Sequence, residues 1–199
     1  HRLDDAYKTT SSIKTAIKNL DTSIDEAFAD GLVSKAEAKA IEKYINIVNS
    51  QKSDIDAQFT ALYANSYLSG TAKTNLNSAK EALNTSVSNL LDSIATAITD
   101  GAATTAEKAD VDSKFRAFNA AISTYQTRVE QAQGAINAAM KTAAENASKN
   151  YADSLADGLD SDSTAKVTAA KNALAAKFGY ADWSAMEAAV SLISGMTTS

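Results

Sequence analysis

The chain contains no proline and no cysteine, and only seven of its 199 residues are glycine. Average usage would place about 5% proline, roughly ten residues, in a chain this long. Proline removes a backbone donor and clashes with the preceding turn, so its absence suits long unbroken helices. Without cysteine there is no disulfide, no thiol nucleophile and no thiolate-held metal. Aromatic residues make up only 7%, and much of the 45% hydrophobic fraction is alanine. The single histidine is His1, so neither a Ser-His-Asp nor a Cys-His constellation can be assembled. A net charge of −5, with its cations scattered, argues against a nucleic-acid partner, which selects basic patches. No run approaches the ~20 apolar residues of a membrane span, and the start lacks an apolar signal-peptide core. The opening His1-Arg2 reads as the cut end of a longer chain, so that last absence excludes little.

What the chain does have is a repeat. Ser23-Ile24, Ala27, Asp30-Gly31, Ala36-Glu37, Ile41, Asn49 and Ser53 return seventy residues later. Their counterparts are Ser93-Ile94, Ala97, Asp100-Gly101, Ala106-Glu107, Val111, Asn119 and Ser123. A fixed long period means one supersecondary unit used more than once, which builds scaffolds more often than pockets.

Within the second copy, apolar residues fall at Val111, Phe115, Phe118, Ile122, Tyr125, Val129, Ala132 and Ile136. Steps of four and three alternate throughout, the signature of helices packed along helices. The first copy has Ile41, Ile45, Val48, Lys52, Ile55, Phe59, Leu62 and Ser66 in the same slots, broken only at Lys52 and Ser66. The helices leading into each Asp-Gly carry Ile13, Ile17, Leu20, Ile24 and Ala27, and Leu83, Val87, Leu90, Ile94 and Ala97. Gly31 and Gly101 stand where a helix ends in a left-handed residue. Ser34-Lys-Ala-Glu37 and Thr104-Thr-Ala-Glu107 then fit the capping box that starts the next helix.

The expected fold is therefore all-α, with tandem long αα-hairpins forming an antiparallel bundle. Helices are predicted over 3–29, 34–66, 71–99 and 104–132 or beyond, with breaks at Gly31, Gly70, Gly101, near Gly158 and at Gly179. Residues 1–133 read as a four-helix unit, with two hairpins stacked end to end in a rod as the runner-up. Residues 134–199 read as a degenerate third hairpin plus a short terminal helix. In it, Met140, Ala144, Ala147 and Tyr151 lead to Asp157-Gly158. A helix over about 163–178 then turns inward Val167, Ala170, Leu174 and Phe178. A last helix carries Met186, Val190 and Ile193, and Gly195-Met-Thr-Thr-Ser reads as a frayed end or a lead into a further segment. Paired seams within each hairpin favour a folded monomer over a trimer.

Residues with chemical potential read as structural. No Walker loop or dinucleotide fingerprint is present. Asp157 to Asp162 has the look of a calcium loop but lacks the sixth-position glycine and twelfth-position glutamate. Asp54/Asp56 and Asp110/Asp112 sit two apart and so do not face each other on a helix. Without an internal histidine a di-iron bundle fails. Asn84-Thr-Ser86 and Asn146-Ala-Ser148 match the glycosylation pattern but lie within predicted helices. Lys52 is expected to lay its stem on the core with its ammonium in water, and Trp183 to pack an interhelix corner. No catalytic, cofactor-binding or metal-ligating residue is assigned, and no cofactor is expected.

The repeated units from Asp30 to Asn49 and Asp100 to Asn119 resemble the helical region of bacteriophage tail and tail-fibre proteins. So does Leu174-Ala-Ala-Lys-Phe-Gly-Tyr-Ala-Asp-Trp183-Ser-Ala-Met-Glu-Ala-Ala. The resemblance covers about residues 10–195; at its end the usual Ile-x-Gly-Gly follow-on is reduced to Ile193-Ser-Gly195-Met196. It implies a non-enzymatic spacer or assembly module of a virion, made in the bacterial cytoplasm. Its partners would be other tail-protein segments or further copies of itself, with no nucleic acid, membrane or small-molecule substrate. The alternatives are a module binding a host glycan or protein through Tyr44, Tyr63, Tyr67 and Trp183, or an amphipathic bundle that opens onto lipid. Against the lipid reading, the polar faces are rich in Ser, Thr, Asn and Asp and poor in the Lys and Arg of interfacial helices.

Overall fold

The computed structural model describes the backbone of residues 2–159 and 164–198, and side chains over 7–155 and 167–191. The fold is all-α. Among the described residues six helices follow one another: α1 (Arg2–Phe28), α2 (Lys35–Tyr63), α3 (Gly70–Ile98), α4 (Thr105–Leu159), α5 (Thr164–Lys177) and α6 (Trp183–Thr198). Two compact units divide the chain, His1–Ala135 and Ile136–Ser199.

In the first unit both Asp-Gly loops are built alike. Gly31 and Gly101 have φ of 77° and 75°, a conformation that costs glycine nothing and a side chain much. The preceding aspartates close the turn: Leu32 N donates to Asp30 Oδ1 at 3.0 Å, and Ala102 N to Asp100 Oδ1 at 3.1 Å. Both capping boxes form. Glu37 N donates to Ser34 Oγ at 3.1 Å and Ser34 N to Glu37 Oε1 at 2.9 Å. Thr104 and Glu107 repeat this at 3.1 and 3.0 Å. Each box satisfies two of the amides that a helix start leaves orphaned.

The two loops also hold each other. Val33 N donates to Gly101 O at 2.8 Å and Ala103 N to Gly31 O at 3.0 Å, making Leu32 and Ala102 an isolated antiparallel bridge. These bonds are exchanged by the seventy-residue shift, so an internal pseudo-two-fold axis passes between the loops. Both hairpin turns thus lie at one end. Contacts continue along the bundle: Asp25 of α1 meets Lys108 of α4 at 2.7 Å. Fifteen residues away, roughly 22 Å along a helix, Thr10 meets Gln126. The hairpins therefore lie side by side, and the end-to-end rod is ruled out.

The seam residues fill the interior. Ile13, Leu20, Ile24, Ile41, Val48, Ile55, Leu83, Leu90, Ile94, Val111 and Phe118 are each fully buried, every one worth about 1.5–3 kcal/mol over its exposed state. Ile45, Phe59 and Leu62 of α2 are half-buried. Between the hairpins, residues 64–69 form a compact corner: Leu68 is buried, Tyr67 N donates to Asn65 Oδ1 at 2.9 Å, and Gly70 takes φ 62°.

The first arm of the expected third hairpin is the end of α4, which runs unbroken through Gly134 to Leu159, in keeping with a fourth helix reaching 132 or beyond. Gly134 carries no positive φ and its missing Cβ faces open space. A lone glycine without a following cap costs a helix about 1 kcal/mol and does not end it. Ala147 of α4, Leu174 and Ala175 of α5 and Met186 of α6 form a small buried core, edged by Tyr151, Phe178, Tyr180, Trp183 and Val190. α5 ends in a Schellman turn. Gly179 has φ 84°, Tyr180 N donates to Ala175 O at 2.9 Å and Gly179 N to Ala176 O at 3.1 Å. Asp182 then caps α6 by accepting from Ala185 N at 2.9 Å. That helix extends to Thr198, so the expected frayed end at Gly195 is helical. The inward placement of Ile193 and the calcium-like Asp160-Ser161-Asp162 fall outside the described residues.

Candidate functional site

Charged groups converge around Asp56, on α2. Its Oδ1 takes Lys52 Nζ at 2.6 Å and Lys80 Nζ of α3 at 2.7 Å. Lys80 also donates to Asn84 Oδ1 at 2.6 Å and lies 5.4 Å from the Phe59 ring centroid. Its side chain is only 7% exposed, whereas Asp56 is 49% exposed. Burial pulls the Lys80 ammonium below its ordinary pKa, aided by Lys52, against the pull of Asp56. Burial alone would raise the Asp56 carboxyl, but the bonds from Lys52 and Lys80 outweigh it and hold the group below its ordinary value. Nearby, Tyr125 of α4 donates to Gln58 Oε1 at 2.8 Å. Burial, with Asp56 adding to it, lifts the Tyr125 hydroxyl above its ordinary pKa, so it remains a donor at neutral pH.

The same position in the other half holds a neutral pair. Thr10 of α1 and Gln126 of α4 stand seventy residues from Lys80 and Asp56 respectively. Both are buried, and the Thr10 hydroxyl donates to Gln126 Oε1. Gln126 passes the chain on to Glu130 through its amide at 3.2 Å. The symmetry thus repeats a buried polar cross-link between the hairpins, ionic in one half and uncharged in the other.

A second convergence is acidic. Carboxylate oxygens of Asp21, Asp25 and Asp112 lie within 4.8 Å of one another. Lys108 bridges two of them, 2.7 Å from Asp25 and hydrogen-bonded to Asp112. Burial alone would lower its pKa, but Asp112 and Asp25 together raise it. Asp21, partly buried and beside Asp25, has its carboxyl pushed above the ordinary range. The Lys108 ammonium thus pairs with two of these three carboxylates.

The residues singled out in the sequence disperse. Lys52 lays its stem along the seam as expected, but its ammonium pairs with Asp56. Asp54 is exposed. Asp110 binds the Ser93 hydroxyl while Asp112 binds Lys108, so neither closely spaced pair acts together. Tyr63 stacks on Phe59 at 5.2 Å with Lys73 over its face, and Tyr44 is half-buried elsewhere on α2. Trp183 packs at 4.5 Å on Tyr151, beside a cavity of about 340 Å³ between α4 and α6 lined by Ala147, Met186 and Val190. Its Nε1 is buried without a partner among the described residues. Sequence reading missed Lys80, Thr10 and Gln126, although the alternating seam of α3 and α1, carried back one step, lands on Lys80 and Thr10.

Fold and site define a class: an antiparallel helical bundle made of a duplicated hairpin, its polar groups converging on one another. No protein-family model, curated protein or solved structure matches the chain.

Proposed function

We propose that the chain is a non-enzymatic structural module, a helical spacer or assembly unit of a phage or prophage tail. One observation carries the structural reading: the converging polar groups cross-link one hairpin to the other at positions related by the internal symmetry. Lys80 with Asp56 and Thr10 with Gln126 are used up in holding helices in register. Neither Tyr125, held protonated, nor the Asp25–Lys108–Asp112 cluster presents a free acid or base. The tail assignment rests on the repeated units and the Leu174–Ala189 phrase. Particle proteomics tests it: peptides of this chain should appear in purified tailed particles at the level of a structural component, and their absence would remove the tail from the reading. Replacing Lys80→Met and Asp56→Leu together tests the structural role. Particle assembly should survive that exchange in a folded protein. Its loss without a drop in melting temperature would point to chemistry at the pair.

A further inference from the structure

We infer that the surface joining the two hairpins also accepts a second copy of this chain, by exchange of hairpins about the corner at residues 64–70. The inference rests on the bonds between the hairpins and on the corner that joins them, and holds whether or not the chain belongs to a tail. Among the described residues, the hairpins are joined by the loop bridge, Asp25–Lys108, Thr10–Gln126, Lys80–Asp56, Tyr125–Gln58 and Tyr7–Glu130. None depends on both hairpins coming from one chain. If the corner opens, the first hairpin of one copy meets the second hairpin of another, and the same bonds reform twice in a closed dimer.

Charge selects the partner. Pairing two second hairpins would set each buried Lys80 against Gln126 and leave its ammonium without a carboxylate, which a buried charge does not tolerate. Pairing two first hairpins would set Asp56 against Thr10 and take both Lys80 and Lys108 away. Only first with second satisfies both ion pairs, so exchange yields a defined dimer and not a mixture. The corner is suited to open, because it is short and Ser69 makes no side-chain cap at the start of α3. Short connections are common hinges of such exchange.

The test uses the full chain, which has no native cysteine. Leu32 and Ala102 face each other across the loop bridge, in the non-hydrogen-bonded geometry that brings side chains closest. A chain with Leu32→Cys and another with Ala102→Cys are unfolded together, refolded at high concentration and oxidised. Exchange predicts a mixed disulfide several-fold more abundant than either like-with-like product, and far less of it when the chains are mixed without unfolding. Equal amounts of mixed and like products would overturn the proposal. Independently, the unsubstituted chain refolded at high concentration and then diluted should elute partly as a dimer. Elution wholly as monomer would overturn it whatever the cysteine variants do.

Discussion

At single positions the backbone decides more than the side chain. Gly101 has φ +75°, and a Cβ there would stand 3.5 Å from Val33 O. Gly101→Val should therefore destabilise by ~1 kcal/mol or more, since a β-branched residue resists positive φ. Gly134 is the opposite case, an exposed helical glycine with open space around its missing Cβ. Gly134→Ala should stabilise by about 0.5–1 kcal/mol. Urea melts of both variants check the pair, and equal effects of one sign would show that the two backbones are not so different. The carboxylates give a second contrast. Asp56 is held below its ordinary pKa, so its contribution is present above the unfolded value and is lost as pH falls through the folded one. Asp21 is raised, so its contribution is present below the unfolded value and is lost as pH rises through the folded one. At neutral pH, Asp56→Asn should lower the melting temperature and Asp21→Asn should raise it. Both differences should vanish in acid, where all forms are neutral. A thermal melt series from neutral to acid pH shows whether the two signs are opposite.

At the scale of helices and loops, what was legible in the sequence was what is local. The Asp-Gly turns and both capping boxes depend on residues within a few positions of one another, and the seams depend on spacing alone. How far α4 runs past 132 was less legible, because an apolar seam can weaken without the backbone breaking. The buried Lys80–Asp56 and Thr10–Gln126 links were not read at all. A polar residue in a heptad slot looks like an interruption until its partner on another helix is known, and Asp56 and Gln126 lie one place off their own seams, beside Ile55 and Tyr125. Phe115, 3% exposed, sits on the α4 seam and should cost ~3–5 kcal/mol when truncated to alanine. Asn119→Ala, on the exposed face one turn on, should stay within about 0.5 kcal/mol. Denaturant midpoints of the two variants check the expectation, and similar losses at both would mean that the seam is not the interior of the bundle.

At the scale of the molecule, two cores of unequal size share one chain. The first unit buries whole side chains along four helices, whereas the second unit's own core is built on Ala147, Leu174, Ala175 and Met186. Helix α4 runs from one unit into the other, but a helix by itself transmits little cooperativity, because helical stability in proteins comes mainly from tertiary packing. Regions with few buried apolar contacts open first. The single tryptophan, Trp183, belongs to the smaller core, so its fluorescence reports that unit alone, while far-ultraviolet circular dichroism reports every helix. On titration with urea the fluorescence midpoint should fall well below that of the main dichroism transition. Met186→Ala should move the fluorescence midpoint alone, and Phe115→Ala should move the main dichroism transition. Coincident midpoints in the unsubstituted chain, shifted together by either substitution, would mean that α4 couples the two cores into one cooperative unit.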